Sequence, residues 1–82
     1  MTIKKPLVIN QPEVGKLIRE LRLLTGLTQE QFAARLGVTY STVNRWENSR
    51  SKPSPVAMKL VENLLQDLDT QGSELLVKYL PN

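Results

Sequence analysis

QEQFAARLGVTYSTVNRWENSR, residues 29–50, is the stretch that decides the fold. Phe32, Ala33 and Leu36 fall on one face at helical spacing, and Val43 and Trp46 do the same a few residues later. Gly37 lies between the two sets and permits a sharp turn. Ala33 is small where two helices joined so tightly must approach each other. The pattern predicts two short helices packed through these residues. It leaves Ser41, Asn44, Arg45 and Asn48 on the outer face of the second helix. All four are hydrogen-bonding side chains short or flexible enough to reach base edges in a DNA major groove.

Punctuation extends the reading in both directions. Thr28, with Gln31 three residues on, predicts a capping box for the first of these helices, and Thr39 caps the second, which reaches Glu47 or Asn48. Upstream, Asn10 and Glu13 also match a capping box, with Pro12 in the first turn. The helix they open has the apolar face Val14, Leu17, Ile18, Leu21 and Leu24, and Gly26 ends it. Downstream, Ser49–Pro53 reads as a polar loop bearing Arg50 and Lys52, and Ser54-Pro55 starts a fourth helix running to about Leu68. Ala57, Met58, Leu60, Val61, Leu64, Leu65 and Leu68 give that helix a stripe wider than one core needs. Asp69–Gly72 reads as a break. A last short helix from Ser73-Glu74 carries Leu75, Leu76, Val77, Tyr79 and Leu80. The expectation is an all-α five-helix bundle: residues 1–9 form a flexible or extended arm, and residues 10–82 form one domain ending in a dimerisation segment.

Composition narrows the chemistry. The chain has 82 residues, enough for one domain with a small core. It has neither cysteine nor histidine, which excludes disulfides, makes a zinc site untenable and removes most nucleophile–base pairs. No glycine pattern cradles a phosphate. Neither an enzyme, a metal nor a cofactor is expected. No apolar run is long enough to span a membrane, and MTIKKPLVI is too short for a signal peptide, so a cytoplasmic protein is expected. Charge is unevenly spread. Residues 1–9 hold two lysines and no acid, residues 10–55 seven basic against four acidic, and residues 56–82 two against four. A polyanion on one side and a different task at the acidic end would fit that distribution.

Leu21-Arg22, Gly26-Leu27-Thr28-Gln29, Phe32-Ala33, Leu36-Gly37-Val38, Thr42-Val43 and Trp46-Glu47-Asn48 occur in order and in register. Together they resemble the phage-repressor (Xre-type) helix-turn-helix family over Glu13 to Leu68. Pro12-Glu13, Leu27-Thr28-Gln29 and Lys52-Pro53-Ser54-Pro55 are similar to small antitoxin-like members. Ser49 departs from the pattern, which has glycine there. Asn48, which tolerates the left-handed conformation, is expected to take over the helix-closing role. The resemblance implies a salt bridge between Arg22 and Glu47, and a Gln29 amide laid against a DNA backbone. Tyr40, Ser41, Asn44 and Arg45 are the expected base-contacting residues. Gln29, Thr39, Asn48, Arg50 and Lys52 are expected at phosphates, Gln29 and Thr39 because helix starts favour anions.

The expected function is a sequence-specific regulator binding double-stranded DNA as a homodimer on a palindromic operator. Two alternatives stand beside it: an antitoxin that autoregulates its operon and neutralises a toxin partner, and a protein-interaction module bridging other factors.

Overall fold

The computed structural model describes residues 10–79. Among them are five helices and no strand: α1 (Glu13–Thr25), α2 (Gln29–Leu36), α3 (Tyr40–Glu47), α4 (Pro55–Asp67) and α5 (Asp69–Lys78). The expected amino-terminal arm and Leu80 lie outside the described residues.

Local chemistry sets most of the helix ends. Thr28 Oγ1 accepts from Gln31 N at 3.1 Å while the Gln31 side chain accepts from Thr28 N at 3.0 Å, so the capping box is complete. Thr39 and Ser54 cap α3 and α4 through their hydroxyls, and Pro55 occupies the first turn of α4. Gly26 and Gly37 both close their helices at φ 73°, a conformation glycine adopts without a Cβ penalty.

The core gathers residues from every helix. Val14, Leu17, Ile18 and Leu21 come from α1, Phe32, Ala33 and Leu36 from α2, and Val43 and Trp46 from α3. Ala57, Met58, Val61, Leu64 and Leu65 come from α4, and Leu75 from α5. Fully burying each large side chain contributes about 1.5–3 kcal/mol. The core therefore fixes how α2 and α3 sit on α1.

The structure departs from the sequence-based expectation in four places. No capping box forms at Asn10: Pro12 occupies the cap without a side-chain bond, and Gln11 bonds the Gly15 amide instead. Leu24 is 40% exposed, because the packed stripe of α1 stops at Leu21. Asn48 does not take the left-handed role. It sits at φ −98°, and Ser49 adopts φ 61° itself, so the missing glycine is replaced by a strained serine. Asp69–Gly72 is not a break. Leu68 ends α4, α5 opens at Asp69 with φ 53°, and Gly72 lies inside the helix, where an added Cβ would meet the Leu65 carbonyl. The corner is one residue wide because Gly72 lets α5 fold directly onto α4. That packing consumes most of the apolar stripe on α4, leaving Val56 and Leu60 exposed.

Candidate nucleic-acid interface

Helix α3 is held from behind. Val43 and Trp46 are buried, and α1 crosses so closely at Gly15 that a Cβ there would meet the Trp46 carbonyl oxygen. Gly15 does not stand among the residues that the sequence pattern marks. A glycine inside a helical pattern was the available signal. With its inner face fixed, α3 presents Tyr40 (50% exposed), Ser41 and Arg45 to solvent, while Asn44 is half-buried. Thr39 is exposed at the start of α3. Its hydroxyl accepts from Thr42 N at 3.2 Å and lies 2.8 Å from the Thr42 hydroxyl and 3.2 Å from that of Ser41.

Arg22 and Glu47 form a two-pronged ion pair, Nε to Oε2 at 2.7 Å and Nη2 to Oε1 at 3.1 Å. The side chains are 15% and 3% exposed. The hydrogen bonds to Glu47 hold the Arg22 guanidinium above its ordinary pKa, with burial opposing. Arg22 Nη1 also donates to the Leu27 carbonyl at 3.2 Å, which ties the α1–α2 turn to the pair. The pair does not stand alone. Gln29 Nε2 donates to Glu47 Oε1 at 3.0 Å, Asn44 Nδ2 donates to Gln29 Oε1 at 3.2 Å, and Asn48 Nδ2 donates to Asn44 Oδ1 at 3.2 Å and to the Asn44 carbonyl at 2.9 Å. Gln29, at the start of α2, is thereby brought beside α3.

Arg50 and Lys52 are exposed on the loop after α3, and neither side chain is ion-paired among the described residues. With Asn10, Gln11, Ser49 and Ser51 they line an open depression of about 530 Å³. Gln11 organises this corner. Its Nε2 donates to the Trp46 carbonyl at 2.9 Å and the Ser51 carbonyl at 2.7 Å. Its Oε1 accepts from Gly15 N at 3.0 Å and from the Ser49 hydroxyl at 3.4 Å. All four hydrogen-bonding positions of one amide are thus used to fasten the loop to α1. Nothing in the spacing marked Gln11, because three of its four partners, the Trp46 and Ser51 carbonyls and the Ser49 hydroxyl, lie far along the chain.

Among the described residues, no group of three or more acidic side chains is placed to hold a metal ion. No helix among them is long and apolar enough to cross a membrane.

The helix-turn-helix family model matches residues 18–71. An uncharacterized HTH-type transcriptional regulator, YiaG, of Escherichia coli K12 is 46% identical over 44 residues, which is 54% of this chain and 46% of that protein. A propionyl-CoA carboxylase regulator of Cereibacter sphaeroides is 38% identical over 61 residues, 74% of this chain but 13% of that protein. The chain therefore spans less than half the length of these curated relatives. No solved structure matches it.

Proposed function

The chain belongs to the helix-turn-helix family, and from that premise we propose that it is a sequence-specific double-stranded DNA-binding transcriptional regulator. The observation that carries this reading is the construction of α3. One face is locked into the core by Val43 and Trp46, and the opposite face offers Tyr40, Ser41 and Arg45 as exposed hydrogen-bonding groups. Arginine can pair with guanine O6 and N7 through two parallel bonds, and the shorter hydroxyl side chains suit base edges or phosphates. Gln29 and Thr39 at the helix starts, with Asn48, Arg50 and Lys52 after α3, face phosphates on either side of the groove. The transcriptional regulators that resemble this chain support the same class of activity.

In this reading the regulator acts as a homodimer on a palindromic operator. One such module makes few base contacts, and a second copy supplies affinity and symmetry. Val56 and Leu60, one turn apart on α4, remain exposed and offer apolar surface for that contact. A palindromic site requires the two-fold axis to set the two α3 helices about one DNA turn apart, ~34–36 Å.

The test is selection of bound sequences from a random DNA pool with the purified protein, followed by affinity measurements across salt concentration. Enrichment of a palindrome and a steep negative salt dependence are expected. Weak binding indifferent to sequence and salt would sink the reading. Sedimentation as a monomer on the enriched site would sink the homodimer alone.

A further inference from the structure

An ionised carboxylate only accepts hydrogen bonds, whereas an amide has one accepting and one donating end and can exchange them by a half-turn. Glu47 stands at one end of a string of three amides, and Arg22 fixes the carboxylate in place. Gln29 must therefore turn its NH₂ toward Glu47, which leaves its oxygen facing Asn44. Asn44 must in turn offer its NH₂ to that oxygen, which leaves its own oxygen to accept from Asn48. Reversing any one amide would bring two acceptors or two donors together. A single buried charge thus sets the donor and acceptor sense of every link up to the end of α3.

We infer that Gln29 and Asn44 are positioning residues, oriented by the Arg22–Glu47 pair, and that base readout on this helix belongs to Tyr40, Ser41 and Arg45. The inference rests on the DNA-binding reading of α3. Asn44 lies half-buried between readers that are exposed, and both ends of its amide already hold partners. A free asparagine would show a base either of two patterns. This one bridges the start of α2 to the end of α3 and holds the outer face of α3 in one arrangement before DNA arrives. Association then spends less on ordering the contact surface.

Two arms test this. In the first, Asn44→Ala is assayed on the selected site and on every single-base variant of it. A loss of about three- to tenfold, equal across all sites, is expected from one lost positioning bond. The same substitution in a Gln29→Ala background should cost nothing further. A loss concentrated at one base position would make Asn44 a reader and overturn the inference. In the second arm, nitrogen-15 spectra of the free protein follow the side-chain amides. Glu47→Gln keeps the shape but removes the charge, and should move the Gln29 and Asn44 resonances together. Unmoved resonances would overturn the relay whatever the DNA result. If wild type selects no sequence, the division of readout roles falls with the DNA-binding reading, while the spectra still decide the relay.

Discussion

Two positions on α1, two residues apart, each hold a distant helix, and they do so by different means. Arg22 grips Glu47 of α3 through two bonds, with the carboxylate almost dry. Glu20 receives Lys78 of α5 at 2.9 Å and the Tyr79 hydroxyl, but its side chain is 38% exposed and that of Lys78 is 61% exposed. Dry charges left unpaired are expensive, whereas wet ones are rescued by water. The α1–α3 junction is therefore rigid and intolerant, and it carries the proposed reading helix. The α1–α5 junction is adjustable and carries none of the proposed DNA-contacting residues.

The sharpest way to break this contrast is Arg22→Ala. It strands Glu47 against the core and should cost about 3 kcal/mol, the lower end for a broken buried pair because Arg22 is partly wet. A melting curve like that of wild type would place both junctions in the same class. Gly15→Ala comes next. The added methyl meets the Trp46 carbonyl, so α1 and α3 must separate, at about 1–3 kcal/mol. Urea unfolding with an unchanged midpoint would show that the crossing has slack. Ser49→Gly should act in the opposite direction, stabilising by about 1 kcal/mol, since glycine relieves the left-handed strain at φ 61°. A loss of stability would mean that the Ser49 hydroxyl bond to Gln11 outweighs the strain.

The smallest effect belongs to Glu20→Gln, a few tenths of a kcal/mol at neutral pH. Its pH dependence sharpens the comparison more than its size does. The Tyr79 hydroxyl and then Lys78 hold the Glu20 carboxyl below its ordinary 4.5. Its contribution is present above that value and is lost as pH falls through the folded pKa. Burial first, and then the bond to Glu20, push the Tyr79 hydroxyl up to about 12. Its contribution is whole below the ordinary value of 10.0 and disappears as pH rises through about 12. Thermal melts should therefore show wild type and Glu20→Gln converging in acid. A gap that stays constant down to pH 3 would remove Glu20 from the account.

Much of the fold could be read where one residue makes a local decision. Thr28 with Gln31, Ser54 with Pro55, and Gly26 and Gly37 each act within a turn of chain, and the helix ends they mark are those the structure has. The α2–α3 core positions followed from periodicity alone. Features made by distant partners were not legible. Asn10 and Glu13 have the spacing of a cap, but Gln11 answers to Trp46 and Ser51, and α1 starts on its terms. Gly72 looks like a helix breaker until Leu65 is known to lie against it. Glu20, Lys78 and Tyr79 gave no signal, because surface charges far apart in sequence do not announce a pairing. At the interface, the outward positions of α3 were legible from the buried ones. The engagement of Asn44 with Gln29 was not, since amides show no preference for a partner until the backbone brings them together.

The Gln11 clasp also has a kinetic side. Its two donor bonds span 35 and 40 residues of chain. Closing a free loop of that length costs about 3 kcal/mol, while each bond returns roughly 1 kcal/mol net. The clasp cannot bring the ends together by itself. It closes only once the hydrophobic contacts of α1 and α3 are in place, so it should form late in folding and open early. The Gly15 amide, which donates into it, is then a natural reporter: its hydrogen exchange should proceed by a local opening well below the global unfolding free energy. The basic loop with Arg50 and Lys52 would come loose in the same fluctuation, while the helices behind it stay folded.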